Sequence, residues 1–361
     1  SRADDSRPES IYVMTCCERN NFFDGGFLAV EAFIKIAGKD VPGIRFSYAH
    51  VEGPCIPDQF ISQVVDQTNP LPNTGRHILK DGRIFQGRLF QMDGLFGTRH
   101  ALPSLLTDKD VILVTGGARG IASLIARQLV NTLQCRFILI GRKKKTEKWI
   151  QDIPGNRISY LSADLSNPGE VKRLQLEKQK ITLLIHAAGI EKSKNLLRKT
   201  PEEFSRVLAT KAVSLHSILS CLDAERLKGV VQFSSIASYS GHSGQADYAA
   251  ANALLNGTLE NDIPVLSIGW PAWSGIGMAS RGIIKDILET LGTVFISPDQ
   301  GVDAFEKLLS GCLAFPPCGT LRVTGTGNRT GCYMDEEESQ APEQVANPFE
   351  DYRMSDPDRN I

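Results

Sequence analysis

The sequence predicts an α/β fold in which a doubly wound parallel sheet follows a smaller unit of similar design. Two observations support this fold class. From about residue 109 to 326, short apolar runs alternate with amphipathic helical patterns, which is typical of a parallel sheet covered by helices on both faces. A strand–helix–strand–helix order also fills residues 11–105. A chain of 361 residues is long enough for two such units.

The first unit resembles half of a nucleotide-binding fold without the nucleotide site. Its expected elements are strands at 11–16 and 43–51 and helices at 27–38 and 56–67. Two β-like runs then flank Asp81-Gly82, which is a strong hairpin signal. No glycine-rich phosphate loop follows the first strand, so this unit is expected to have a structural role.

The second unit alternates strands and helices more regularly. Its expected strands are 111–115, 135–141, 158–164, 182–188, 230–235, 265–270 and 321–325. Helical patterns follow the first strand and recur near 168–180, 201–223, 246–260 and 298–310. Ligands bind at the carboxyl ends of the strands in sheets of this kind, so the residues that end these strands are the candidate site.

These patterns divide the chain into four regions. We expect a disordered leader at 1–10, a noncatalytic structural subdomain at 11–108, a catalytic subdomain at 109–327 and an acidic disordered tail or linker at 328–361. From Cys332 onward there are nine acidic residues against two arginines, a composition typical of disorder. The sequence has no initiating Met, which favours a piece of a longer protein.

Charge and cysteine usage exclude several function classes. Forty basic residues against 41 acidic ones give a net charge of −1, which argues against nucleic acid or an anionic membrane as a partner. No apolar run approaches the roughly 18 residues of a membrane span, and the N-terminus lacks a signal-peptide core. The eight cysteines form no CxxC pair, so we expect reduced thiols, no metal site and a cytoplasmic location.

A glycine turn after the strand at 111–115 indicates a dinucleotide site. Glycines between a strand and a helix let the backbone approach a pyrophosphate, and the helix N-terminus offers free N–H groups. Glycine turns also occur for structural reasons alone, but this one has the required strand–turn–helix context. The candidate contacts are Thr115, Gly116, Gly117, Ala118, Arg119, Gly120 and Ile121.

The ends of the next strands suggest how the rest of the cofactor binds. Arg142 ends the second strand, where a basic residue suits the 2′-phosphate of NADP rather than the free ribose of NAD; for Lys144 and Lys145 a solvated loop is the preferred interpretation. Further candidate contacts end the third and fourth strands: Asp164, Leu165, Ala187, Ala188 and Gly189. His186 is expected to brace the backbone rather than to react.

Four polar residues form a candidate catalytic group. Lys211 falls on the apolar stripe of the helix at 204–222, where a charge is costly unless it is needed. Ser235 ends a strand, and Tyr248 and Asn252 share one face of the following helix. A nearby ammonium would lower the pKa of the tyrosine and let it act as an acid at neutral pH.

The motifs TGGARGIA, HAAG, FSS with Tyr248 thirteen residues later, and YAAAN resemble the short-chain dehydrogenase/reductase superfamily. The placement of Lys211 on the earlier helix and Asn252 after the tyrosine resembles the ketoreductase domains of type I polyketide synthases and related fatty acid synthases. The likeness is strong over about 109–326, and residues 11–105 resemble the structural subdomain that precedes such domains. It implies a Rossmann-type fold, NADPH as cofactor and a carrier-tethered β-ketoacyl thioester as substrate.

The resemblance also implies a role for each residue of the group. Tyr248 would protonate the ketone oxygen, and Ser235 would donate a hydrogen bond to it. Lys211 would lower the pKa of Tyr248 and contact the nicotinamide ribose, both residues thus also binding the cofactor. Asn252 would order a water for proton relay. The implied partners are an acyl carrier protein and the neighbouring synthase domains.

Other family features are missing or ambiguous. No LDD motif occurs at 190–195, and Ser240 stands where one stereochemical type often has Trp, so the configuration of the product stays open, with a lean against the LDD type. Met278 and the segment 281–291 could form a lid. The lysines at 192, 194 and 199 could dock a carrier protein, although a solvated face is the preferred interpretation.

Three functions remain possible from the sequence. The first is an active NADPH-dependent β-ketoacyl reductase. The second is a catalytically silent ketoreductase-like domain that is retained for architecture; the intact four-residue group and glycine turn argue against it. The third, a free-standing reductase of small ketones, is disfavoured by the structural half-domain and the missing Met.

Overall fold

A parallel sheet with one antiparallel strand forms the first unit of the computed structural model. The structure describes residues 10–17, 24–52, 77–80, 83–86, 88–91, 101–144, 147–153, 155, 157–257, 263–278, 280, 285, 289–290, 293, 295–314, 320–326 and 329–334. In this unit β1 (Ser10–Cys17), α1 (Asp24–Asp40), β2 (Arg45–Glu52), β3 (His77–Lys80) and β4 (Arg83–Gln86) follow one another. The sheet order is β1-β2-β3-β4, and only the β3–β4 pair is antiparallel.

The register of β3 and β4 confirms the predicted hairpin, because Lys80 pairs with Arg83 across the turn. The turn residues 81–82, the expected helix at 56–67 and the leader at 1–9 lie outside the described residues. The expected helix at 27–38 is confirmed, but α1 runs on past Gly38 to Asp40.

The second unit is the predicted doubly wound sheet. Its strands are β5 (Arg88–Gln91), β6 (Val111–Thr115), β7 (Arg136–Gly141), β8 (Ile158–Ser162), β9 (Leu183–His186), β10 (Gly229–Ser235), β11 (Val265–Trp270), β12 (Thr320–Thr326) and β13 (Arg329–Met334). They are ordered β5-β13-β12-β11-β10-β9-β6-β7-β8, and the seven from β12 to β8 are parallel. The strand order reverses between β6 and β9, where ligands bind in such folds.

Helices cover both faces of this sheet. They are α2 (Leu102–Leu105), α3 (Gly120–Thr132), α4 (Lys148–Gln151), α5 (Pro168–Arg173), α6 (Pro201–Leu208), α7 (Ser214–Leu219), α8 (Ala246–Leu255) and α9 (Pro298–Ala314). One apolar cluster packs the sheet against α3 and α9, and a second lies on the opposite face against α5 and α7. Among the described residues, no helix has the length and apolar character needed to cross a membrane.

Two boundaries differ from the sequence prediction. The sequence predicts an acidic tail from residue 328, but β13 occupies Arg329–Met334 and pairs antiparallel with β12 and β5. The nine acidic residues all follow Met334, so the composition that indicates disorder starts only after this strand. β5 falls within the predicted structural subdomain at 11–108, yet it completes the sheet of the catalytic unit.

The predicted helix at 201–223 is interrupted. A capping box between Thr200 and Glu203 and a first-turn Pro201 start α6. The segment Ala209–Val213 is a π-helical turn, and α7 continues from Ser214. Such turns occur often at functional sites, and this one carries Lys211.

Candidate active site

The glycine turn lies at the point where the strand order of the sheet reverses. A Cβ on Gly116 would lie 3.0 Å from the carbonyl oxygen of Ala187, so the turn and the end of β9 approach too closely for a side chain. The hydroxyl of Thr115 accepts hydrogen bonds from the N–H groups of Ala187 and Ala188, both at 3.0 Å. The structure thus brings these candidate cofactor residues together.

The N-terminus of α3 is open at the end of this turn. Gly120 has a φ of +65°, and a Cβ there would meet no described atom within 4 Å. Arg119 precedes α3 without a side-chain cap; its guanidinium pairs instead with Glu147. The free N–H groups and the open space suit an anionic group such as a pyrophosphate.

A polar cavity of about 590 Å³ lies beside the carboxyl ends of β7 and β8. Arg142 and Asp164 are on its wall, together with Lys144 and Arg173. Lys144, for which the sequence favours a solvated loop, is thus part of this wall, and no local sequence signal singles out Arg173. That arginine is on α5, and only the folded chain brings it next to Arg142.

The side chains of Asp164 and Leu165, at the end of the third strand, already have contacts within the chain. Asp164 accepts hydrogen bonds from the Ser166 hydroxyl at 2.7 Å and from the Ser166 N–H at 3.0 Å. These bonds lower the pKa of Asp164. Leu165 is buried in the apolar cluster that contains α5, so any contact with a cofactor would go through its backbone.

Lys211 is buried beside the strand that ends in Ser235. Only 3% of its surface is exposed, and its ammonium donates a hydrogen bond to the carbonyl oxygen of Phe233 at 2.8 Å. Burial lowers the pKa of Lys211 to about 7. A Cβ on Gly189 would lie 3.3 Å from its Nζ, so the amine faces the end of β9.

The phenol of Tyr248 lies next to both the lysine and the serine. The Lys211 Nζ is 5.9 Å from the centre of the Tyr248 ring, and the Ser235 side chain is close enough to the phenol to lower its pKa. Asn252, one turn along α8, is fully buried and donates to the carbonyl oxygen of Tyr248 at 2.7 Å. Its Oδ1 atom has no hydrogen-bond partner in the described part of the chain, and a water could satisfy it.

The expected effect of Lys211 on Tyr248 is not found in this structure. Burial raises the pKa of Tyr248, and the nearby Ser235 and Asn252 side chains offset this only in part. The lysine is hydrogen-bonded to Phe233 and is itself readily neutral because its pKa is about 7. A half-neutral amine stabilises a phenolate less than a full cation does.

His186 braces the site, as predicted. The Thr115 hydroxyl accepts two N–H bonds and so donates its own hydrogen to His186 Nδ1, 3.0 Å away. The opposite nitrogen, Nε2, then carries the proton and donates to the carbonyl oxygen of Lys211 at 2.8 Å. Burial lowers the pKa of His186 to about 4, which agrees with a neutral ring.

Two of the lysines considered for carrier-protein docking have partners within the chain. Lys194 pairs with Glu203 at 2.7 Å, and Lys199 pairs with the buried Asp247. Of the possible lid, Met278 is 41% exposed, while most of 281–291 lies outside the described residues. Trp270 and Trp273 pack edge to face in the core, as expected of an ordinary connection after β11.

A doubly wound sheet with a glycine turn at its switch point, and with serine, tyrosine, lysine and asparagine at the same edge, defines a protein of the short-chain dehydrogenase/reductase type. Residues 111–275 match the model of the KR domain family. The finding confirms the resemblance to ketoreductase domains inferred from the motifs.

Curated relatives are large synthases. The polyketide synthase PksL of Bacillus subtilis (strain 168) is 30% identical over 261 residues, which cover 64% of this chain and 6% of the relative. The polyketide synthase GfsA of Streptomyces halstedii is 27% identical over 251 residues, covering 64% of this chain and 3% of the relative. The chain thus spans only a small part of these proteins.

Solved structures establish the fold independently. A ketoreductase domain from the bacillaene assembly line superposes with a TM-score of 0.71 at 24% identity, covering 90% of this chain and 78% of the other. The first ketoreductase of the tylosin PKS gives a TM-score of 0.67 at 22% identity, covering 86% and 69%.

Proposed function

We propose that the chain is an NADPH-dependent β-ketoacyl reductase that acts on a thioester held by an acyl carrier protein within a polyketide or fatty acid synthase. The observation that carries the proposal is the meeting of three side chains at the switch-point edge of the sheet. The Lys211 amine lies 5.9 Å from the centre of the Tyr248 ring, and the Ser235 side chain is close enough to Tyr248 to lower its pKa.

The residues at this edge fit a phosphorylated dinucleotide. The turn from Thr115 to Gly120 would hold the pyrophosphate, since it offers an open helix N-terminus and a glycine that leaves space. Arg142 would hold the 2′-phosphate, with Lys144 and Arg173 on the same cavity wall. When bound, the nicotinamide would supply a hydride to the carbonyl carbon.

The chain itself would supply the proton and the electrostatic stabilisation. Tyr248 would donate its phenolic proton to the ketone oxygen, while the Ser235 hydroxyl would stabilise the charge that develops there. Lys211, with a pKa of about 7, can exchange a proton near neutral pH. A water on Asn252 Oδ1, the buried atom without a described partner, would connect the phenol to solvent.

The substrate class and the partners follow from the relatives. Both of those reported above are named as polyketide synthases, and the chain spans 6% and 3% of their lengths. We infer that this chain also acts beside other synthase domains and receives its substrate on a carrier protein. The location is then the cytoplasm.

The alternative is a catalytically silent domain with an architectural role. Loss of catalytic activity would be expected if a catalytic residue were missing or the glycine turn were blocked. Here all four side chains are present, and no atom of the described residues fills the space beside Gly120, so the active enzyme is the better proposal.

The test is NADPH oxidation with a β-ketoacyl thioester, measured for the parent chain beside Tyr248→Phe and Lys211→Ala. We expect turnover by the parent and a loss of about 100-fold or more in both variants, because each lacks part of the proton-transfer group. A parent that binds NADPH without turnover would support the silent alternative. Faster turnover with NADH would reject the role given to Arg142.

A further inference from the structure

The C-terminal end of α1, in the structural subdomain, meets two loops that border the candidate active site. The loop 236–245 joins Ser235 to the helix of Tyr248. The loop 190–197 follows β9 and leads towards α6. These loops determine how the ends of the catalytic elements approach one another, so contacts that fix them also influence the site.

Asp40, the last residue of α1, holds both loops. Its side chain is buried, and the residue is only 2% exposed. Oδ1 accepts hydrogen bonds from the Ser243 hydroxyl and from the Gly244 N–H at 2.8 Å, and Oδ2 accepts one from the Leu196 N–H at 2.8 Å. The main-chain carbonyl oxygen of Asp40 accepts a further bond from the Asn195 amide at 3.2 Å. Hydrogen bonds to a charged group are about twice as strong as neutral ones.

Two neighbouring residues of α1 strengthen this contact. The Lys39 ammonium donates to the carbonyl oxygens of Ser240 at 2.8 Å and Gly241 at 2.6 Å. Ile36 is fully buried, and a Cβ on Gly241 would lie 2.0 Å from its Cδ1 atom. The loop therefore packs closely against the helix, and the φ of +48° at Gly241 favours glycine at this position.

We propose that Asp40 is a positioning residue that holds the loop 236–245 in the conformation which brings Tyr248 next to Ser235. The inference rests on the proposed reductase function. Asp40 acts through the backbone of the loop and not by contact with the reacting groups. Through Asp40, the structural subdomain would hold one border of the catalytic site in the neighbouring subdomain. This role requires no nucleotide site.

If α1 only stabilised the fold, any substitution that weakens its packing should lower kcat as much as a substitution of Asp40. Phe33 lies on the same helix and packs edge to face on Phe204 of α6, with 5.8 Å between ring centres. Phe33→Leu would weaken the same interface without removing a bond to the loop 236–245. It is therefore the control for Asp40→Asn, which leaves one acceptor oxygen and no charge for the two loops, and for Asp40→Ala, which removes both acceptor oxygens.

The experiment compares the full chain with Asp40→Asn, Asp40→Ala and Phe33→Leu at a temperature where all are folded. Three quantities are measured: kcat and KM for the β-ketoacyl thioester, the Kd of NADPH, and hydrogen exchange of the amides in 236–245. We expect kcat of the Asp40 variants to fall about 10- to 100-fold, as small misplacements of reacting groups produce. The Kd of NADPH should stay within about twofold, because Asp40 is not among the residues proposed to bind the cofactor. Amide exchange in the loop 236–245 should rise.

The outcomes separate this inference from the proposed function. Unchanged kcat and exchange in Asp40→Ala, or an equal loss of kcat in Phe33→Leu, would overturn the positioning role. A parent without turnover would reject the reductase proposal instead. In that case faster exchange in 236–245, seen with the Asp40 variants and not with Phe33→Leu, would still support the positioning of the loop by Asp40, and unchanged exchange would refute it.

Discussion

Lys199 and Asp247 form an ion pair directly before the candidate catalytic tyrosine. Their Nζ and Oδ1 atoms are 2.5 Å apart, and the two side chains are 2% and 1% exposed. The Asp247 Oδ1 atom also accepts a hydrogen bond from the N–H of Tyr248 at 2.8 Å. Lys199 lies just before α6, which leads to Lys211, so the pair connects the two helical segments of the site.

Removal of the lysine should destabilise the fold strongly. Lys199→Met would leave the Asp247 carboxylate buried without its cation, and breaking a buried pair in this way typically costs about 3–5 kcal/mol. The free energy of unfolding, measured with a denaturant at pH 7, checks the prediction. A second removal, in Lys199→Met/Asp247→Asn, should restore part of the loss because no charge is then left buried.

Lys194 supplies the matched control. Its pair with Glu203 is partly exposed, with side chains at 38% and 32% exposure, so Lys194→Met should cost no more than about 1 kcal/mol. Equal effects of Lys194→Met and Lys199→Met would contradict the importance of burial at Asp247.

A comparison of Lys211 with Lys199 shows which buried lysines can be predicted from the sequence. Burial of Lys211 could be predicted, because it lies on the apolar stripe of its own helix and the signal is local. Lys199 lies in a polar stretch, and its partner follows far along the chain on another helix. Nothing in the local pattern distinguishes it from the more exposed Lys194.

The same difference between local and distant signals determines which strands could be predicted from the sequence. The strand β6 is a continuous apolar run, buried at all five positions, and could be read directly. β13 depends on pairing with β5, whose residues come more than two hundred positions earlier. The net rise in the pKa of Tyr248 comes mainly from burial, which a motif does not contain.

Arg142 should set the preference for the phosphorylated cofactor. A hydrogen bond to a charged group contributes about 1.5–3 kcal/mol, so Arg142→Ala should raise the Kd of NADPH about 10- to 100-fold and leave that of NADH nearly unchanged. Fluorescence titration with both cofactors measures this. Arg136→Ala, at the exposed start of β7, is the control, and a similar loss there would point to general charge rather than to a specific contact.

His186 should make the fold sensitive to acid. Its pKa is about 4 in the folded chain and about 6.5 when unfolded, so between these values the unfolded state binds the extra proton. Stability should therefore rise with pH from about 4 to 6.5 and be lost in the reverse direction, by roughly 3 kcal/mol. His186→Gln should flatten this part of the profile, whereas substitution of the exposed His216 should not.

Gly120 offers a direct test of the pyrophosphate position. Gly120 and Gly155 have φ values of +65° and +84°, and a Cβ on either would meet no described atom within 4 Å. Substitution by alanine should therefore cost similar stability at both, about 1–2 kcal/mol for the left-handed conformation. Only the space at Gly120 is proposed to receive the cofactor, so Gly120→Ala should weaken NADPH binding about tenfold or more, while Gly155→Ala leaves it unchanged. Equal affinities in the two variants would place the pyrophosphate elsewhere.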